Sequence, residues 1–154
     1  MKQNKFNAKV INKMQIKLPS LSVNEGMARA AAAAFVSQLD PTATELADIK
    51  CAVSEAVTNS IVHGYRDTVG QVRMTVKLCQ GRIVRIEISD KGCGIADVKA
   101  ARQPLFTTDA AGERSGMGFT VMESFTDGVR VSSKVGKGTT VTMVKVLSDL
   151  HIDT

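Results

Sequence analysis

The chain has 154 residues, room for one domain with a full hydrophobic core, and its 44% apolar and 23% charged residues are an ordinary balance for a globular protein. Only 4% are aromatic and tryptophan is absent, so the core is expected to be aliphatic. The net charge of +5 is spread over scattered lysines and arginines, which weighs against a nucleic-acid patch. Three cysteines without a CxxC pair, two histidines and no long apolar run weigh against a zinc site, a disulfide framework, secretion and a membrane anchor, and suggest a reducing cytoplasm.

In chain order, residues 1–12 are polar and read as a flexible N-terminal arm. Met14, Ile16 and Leu18 alternate with Lys13, Gln15 and Lys17, which predicts a strand with one buried face. Asn24 reads as the cap of an alanine-rich helix over 25–39. After the Asp40-Pro41-Thr42 turn a long helix is expected over 44–63, closed by Gly64 in a left-handed conformation. Residues 71–78 and 82–89 alternate around Gln80-Gly81 and predict a hairpin. A loop-rich stretch follows to Gly118, then a short helix over 119–125. A second hairpin spans 129–135 and 139–146 around Gly136-Lys137-Gly138. Strands segregate from helices, so the fold class is α+β: a two-layer sandwich whose mainly antiparallel sheet carries helices on one face. The division reads as the arm at 1–12, one domain over 13–147 and a tail at 148–154.

Four short motifs bear on chemistry. Glu55, Asn59 and His63 are spaced four apart, on one stripe at 100° per residue. They read either as edge residues bonded to nearby loops or as a site in which Asn59 offers an oxygen to Mg²⁺ and Glu55 acts as a base. His63 reads as a satisfied residue at the helix end. Asp90-Lys91-Gly92-Cys93-Gly94 follows a strand; Asp90 can accept from an exocyclic amine such as adenine N6, and the glycines allow a tight backbone. Arg114-Ser115-Gly116-Met117-Gly118 leads into a helix and suits an anion at the helix N-terminus. Gly136-Lys137-Gly138-Thr139-Thr140 is no Walker A loop, because Gly138 separates lysine from threonine and a strand follows. Each motif alone also reads as a plain turn or junction.

Taken in order, the four motifs resemble the GHKL ATPases, the Bergerat-fold family of gyrase-type topoisomerases and histidine kinases, over about residues 13–146. The stretches 33–42, 53–65, 101–108 and 113–119 narrow the resemblance to the serine kinases that act as anti-sigma factors in spore-forming bacteria. That resemblance implies ATP or ADP with Mg²⁺ as cofactors and Asn59 as metal ligand. It implies Glu55 as the catalytic base, Asp90, Gly92 and Gly94 around adenine, Ser115, Gly116, Met117 and Gly118 along the phosphates, and Thr139 beside the nucleotide. Arg29 and Arg114 are the implied partner contacts. The implied partners are sigma factor F, an anti-anti-sigma protein phosphorylated on serine, and a second copy in a homodimer, in the cytoplasm of the prespore; no nucleic acid or membrane is implied. Two alternatives stay open: a nucleotide-gated module that binds a sigma factor without kinase activity, and a stand-alone histidine-kinase-like ATPase domain.

Overall fold

The computed structural model describes residues 4–103 and 118–150. Five strands form one antiparallel sheet: β1 (Val10–Pro19), β2 (Gln71–Cys79), β3 (Ile83–Asp90), β4 (Gly128–Lys134) and β5 (Gly138–Val146), in the order β1-β2-β3-β5-β4. The helices α1 (Asn24–Val36), α2 (Ala43–Asn59), α3 (Val98–Ala101) and α4 (Gly118–Phe125) complete the α+β sandwich. Both expected hairpins are present.

The expected aliphatic core lies between sheet and helices. Met74, Val76 and Leu78 of β2, Val84, Ile86 and Ile88 of β3, and Val141 and Met143 of β5 face Ile49, Val53 and Val57 of α2. Each such side chain contributes about 1.5–3 kcal/mol by leaving water. In α1 the buried residues are Ala28, Ala32, Ala33 and Val36, and small side chains let that helix lie close against α2. The start of α2 is a capping box: Thr42 Oγ1 accepts from the Glu45 N–H at 3.1 Å, and Glu45 Oε1 accepts from the Thr42 N–H at 2.9 Å. Glu45 Oε2 also accepts from the Ser148 N–H at 2.7 Å, tying the chain after β5 to this helix.

The structure differs from the expectations at several ends. β1 begins at Val10, and Phe6 and Ala8 pack on Cys79, Ile83 and Val144, so the described part of the supposed arm is docked on the sheet. Arg85 holds it by donating to the carbonyls of Phe6 at 2.6 Å and Ala8 at 3.3 Å. Asn24 is no side-chain cap; its amide donates to the Pro19 carbonyl at 2.9 Å. The first helix tightens into a 3₁₀ turn at Ser37–Leu39 and stops at left-handed Asp40. The second ends as an α-helix at Asn59 and widens into a π turn, Ser60–Gly64, closed by the Tyr65 N–H on the Ser60 carbonyl at 3.1 Å. Gly64 is not left-handed; Gly81, Gly94, Gly136 and Gly138 are the described glycines with positive φ.

Candidate functional site

Three segments meet at the end of β3. The first is the end of α2 with its π turn. Glu55 and Asn59 lie one turn apart on the α-helical part, both half-buried, so they share a face. His63 falls in the π turn, where the α-helical step no longer holds, so the three-residue stripe read from the sequence ends at Asn59. The second segment is the loop after β3, and the third is the β4–β5 hairpin.

Backbone approaches too close for a side chain lock these segments together. A Cβ on Gly92 would fall inside the contact distance of the Gly64 carbonyl oxygen, and the next residue, Cys93, donates its N–H to that oxygen at 2.9 Å. A Cβ on Gly94 would collide with the Lys134 carbonyl, and one on Gly138 with the Asp90 carbonyl. The Gly136 N–H reaches the Cys93 carbonyl at 2.8 Å. A Cβ on Gly64 would stand tightly, 3.1 Å from the Asp90 carboxylate.

Asp90 sits among these contacts, 7% exposed. Its Oδ1 accepts from the Gly92 N–H at 2.9 Å; among the described residues Oδ2 has no hydrogen-bond partner. A carboxylate oxygen has lone pairs that suit a donor from a ligand. Thr139 is the register partner of Asp90 across β3 and β5 and shares a hydrogen bond of 2.7 Å with Ser133. The Asn59 side chain lies beside Gly118, the first residue of α4, where an added Cβ would stand 3.1 Å from the amide. Thus Asn59, Asp90, Gly92, Gly94, Gly118 and Thr139 belong to this assembly, with Glu55 one turn back along α2. Arg114, Ser115, Gly116 and Met117 lie outside the described residues. Arg29 is not at the glycine loops: it bonds Glu25 at 3.2 Å and Ser54 at 3.3 Å, and the Ser54 hydroxyl also bonds Glu25. Cys93 is exposed, and its thiol contacts the His63 carbonyl at 3.1 Å.

Two residues given no role by the sequence reading hold the loops. Tyr65 accepts from the Lys91 N–H at 2.7 Å and donates to the Gln71 carbonyl at 2.8 Å, so one buried hydroxyl joins the π turn, the Asp90 loop and the start of β2. A signal was present: it is the chain's one tyrosine, and a buried hydroxyl requires partners. Ser133 accepts from the Ile95 N–H at 2.8 Å and donates to the Gly138 carbonyl at 3.1 Å. Nothing in a strand serine distinguishes this role beforehand.

A Mg²⁺ nucleotide can be tested against these donors. Among the described residues no three His, Cys, Asp or Glu side chains converge as a metal cage. The fit is to a metal taking one amide oxygen from Asn59 and the rest from phosphate and water, the usual economy of protein-bound Mg²⁺. Asp90 and the glycine loops fit a base bearing an amine.

The histidine kinase-like ATPase domain family matches residues 18–145. The chain is 54% identical to the "Anti-sigma F factor" of Anoxybacillus flavithermus over 89% of its own length and 94% of that protein. It is 53% identical to the protein of that name from Clostridium botulinum, over 87% and 94%. Among solved structures it resembles the RsbU and RsbW domains of a Mycobacterium tuberculosis protein, with TM-score 0.67 and 22% identity, covering 91% of this chain and 34% of that one. It also resembles the histidine kinase domain of a blue-light activated kinase from Erythrobacter litoralis, with TM-score 0.55 and 18% identity over 84% and 62%. At those identities the two structures speak to the fold. No described helix is long and apolar enough to cross a membrane.

Proposed function

The chain belongs to the histidine kinase-like ATPase domain family, and on that premise we propose that it is an ATP-dependent anti-sigma factor and protein serine kinase. In its ATP state it holds sigma factor F away from RNA polymerase. It also phosphorylates a serine of an anti-anti-sigma protein, and so releases itself from that antagonist. It works as a cytoplasmic homodimer with Mg²⁺, and Arg29 and Arg114 contact the protein partners. The observation that supports the nucleotide part is that Gly118, at the start of α4, lies against the Asn59 amide and Gly64, just past the same helix, against the Asp90 carboxylate, with Glu55 one turn before Asn59. The names of the relatives support the anti-sigma part.

In this reading Asp90 accepts from the adenine amine, and Gly92 and Gly94 let the backbone close beside the base. Ser115, Gly116 and Met117, which precede α4 in the sequence, line the phosphates with Gly118 at its start, where free backbone N–H groups attract anions; Thr139 sits beside the nucleotide. Asn59 holds Mg²⁺, which when bound neutralises charge on the transferring phosphoryl group. The attacking serine hydroxyl loses its proton to Glu55 as its oxygen forms the bond to γ-phosphorus and the bond to the ADP oxygen breaks. Phosphoryl transfer asks for alignment and charge stabilisation more than covalent work from the protein.

The test is transfer of label from γ-labelled ATP to the anti-anti-sigma protein, comparing wild type with Glu55→Ala and Asn59→Ala. Glu55→Ala should bind ATP and lose most transfer, whereas Asn59→Ala should lose Mg²⁺-dependent affinity and transfer together. No label from wild type despite ATP binding would leave a nucleotide-gated binding protein and sink the kinase reading. Normal Mg·ATP binding by Asn59→Ala would remove the metal assignment.

A further inference from the structure

The helices α1 and α2 pack closely, and both bury alanines: Ala28, Ala32 and Ala33 on α1, Ala52 and Ala56 on α2. Near the start of α1 a polar group interrupts this pattern. Ser54 of α2 is half-buried and donates its hydroxyl to Glu25 Oε1. The same hydroxyl accepts from Arg29 Nη1 at 3.3 Å, and Nη1 also donates to Glu25 Oε1 at 3.2 Å. Three side chains from two helices thus close a triangle.

The ordinary habits of these residues do not account for it. Ser37, Ser124 and Thr126 each donate to the carbonyl four residues back, the usual choice of a helical hydroxyl. Ser54 donates across to the neighbouring helix instead. Glu25 lies in the first turn of α1, where a carboxylate suits the helix dipole. Its pairing with Arg29 four residues on is a common surface pair that adds little stability. Neither calls for a hydroxyl from α2. The consequence falls on Arg29, whose side chain is 46% exposed against 24% for Glu25. Among the described residues both of its hydrogen bonds use Nη1, which leaves the Nε–Nη2 edge as a planar two-donor fork. Gly26 lies beside that fork: a Cβ there would stand 3.9 Å from Nη2, so no side chain at this position covers it.

We propose that Ser54 is a positioning residue for protein recognition: its hydroxyl, acting on Glu25 and on Nη1, holds the Arg29 guanidinium with the Nε–Nη2 edge free for an acceptor pair on the protein partner. This rests on the reading above that Arg29 contacts a protein partner. An exposed arginine otherwise samples many rotamers, and ordering it on binding costs affinity. The triangle fixes it beforehand. Ser54 itself touches neither partner nor nucleotide. Glu55 is the next residue, but successive side chains diverge by about 100° around a helix, so loss of the hydroxyl leaves the face of Glu55 and Asn59 in place.

The test uses the full chain and calorimetric titration with the purified anti-anti-sigma protein, with ATP affinity measured in parallel. Ser54→Ala installs a better helix former, so the fold is kept, and a thermal melt checks this. The variant should raise the partner Kd about three- to tenfold while ATP affinity stays within about twofold. In phosphate transfer its KM for the partner should rise with kcat spared. Ser54→Thr keeps the hydroxyl and should recover most of the affinity. In an Arg29→Ala background Ser54→Ala should change the partner Kd by less than about twofold, because no guanidinium is left to orient. A loss equally large in that background would mark a general effect on the α1–α2 seam and overturns the proposal. So does wild-type binding by Ser54→Ala beside impaired binding by Arg29→Ala, a result that keeps Arg29 as a contact. Wild-type binding by Arg29→Ala removes the Arg29 contact and this proposal with it.

Discussion

Asp90→Asn tests the base-recognition part of the site most directly. The carboxylate has two acceptor oxygens: Oδ1 receives the Gly92 N–H at 2.9 Å, and in the proposed site Oδ2 receives the adenine amine. Asparagine has one acceptor and one donor. If its oxygen stays on Gly92, its NH₂ group faces the adenine amine, donor against donor. If it flips, the Gly92 N–H loses its acceptor at a buried position. Either way one hydrogen bond to a charged acceptor is lost, worth about 1.5–3 kcal/mol. ATP affinity should therefore fall about 10- to 150-fold. Inosine triphosphate carries a carbonyl where ATP carries the amine, so the wild-type carboxylate repels it and the side-chain amide of the Asp90→Asn variant can donate to it. Calorimetric titration with both nucleotides reads the affinities and their ratio. The ATP preference should collapse in the variant. An ATP affinity within about threefold of wild type, with the preference for ATP over inosine triphosphate intact, would refute adenine recognition by Asp90.

Three further predictions concern the loops and the helix start. Gly92→Ala places a methyl against the Gly64 carbonyl, a backbone collision that no rotamer relieves; ATP binding should vanish in titration while circular dichroism still shows a cooperative melt, lowered by about 1–3 kcal/mol. Tyr65→Phe leaves the Lys91 N–H and the Gln71 carbonyl without their hydroxyl partner and should weaken ATP binding through the Asp90 loop, with the turnover rate at saturating ATP spared; an unchanged ATP affinity would count against this latch. For Glu45, partial burial raises the carboxyl pKa, and the hydrogen bonds from Thr42 and Ser148 outweigh it and hold the group below the ordinary glutamate range. A depressed pKa stabilises the fold above the unfolded-state value, and that stability is lost as pH falls through the folded-state value. Glu45→Gln should therefore cost about 1 kcal/mol near neutral pH, and its melting difference from wild type should fade as pH drops below the usual glutamate range.

The sheet and its helices were legible because alternation along 71–78, 82–89 and 139–146 is a direct consequence of one buried face, and because Thr42 with Glu45 makes a helix start visible. The ends were less so. Gly64 has the position expected of a left-handed cap, yet its φ is not positive, and the tight neighbour of an added Cβ is the Asp90 carboxylate at 3.1 Å. No local pattern reveals a partner 26 positions away. The docking of Phe6 and Ala8 depends likewise on Arg85 and Arg130, which are remote in the chain. The candidate site reads in the sequence as four separate motifs, each also compatible with an ordinary turn and joined by their order; of the third motif only Gly118 lies within the described residues. Tyr65 and Ser133 escaped because their hydroxyls act on backbone groups of other segments.

The glycines show how far the site is set by the fold itself. Gly92 is pressed on the backbone of Gly64, Gly94 on that of Lys134, and Gly138 on that of Asp90. Each contact is backbone to backbone, so none can be relieved by turning a side chain. Together they connect the π turn after α2, the loop after β3 and the β4–β5 hairpin in a closed circuit, with Asp90 inside it. Moving any one segment away from the others would break a hydrogen bond as well as a contact, since the Cys93 N–H is on Gly64 and the Gly136 N–H is on the Cys93 carbonyl. The orientation of Asp90 is therefore held without any ligand to order it, and a base bound as proposed would meet an acceptor already in place. Such preorganisation spares the ordering cost that would otherwise be subtracted from binding. It also explains why substitution of Gly92, whose backbone shapes the loop that holds Asp90, is expected to be more damaging to nucleotide binding than substitution of Asp90.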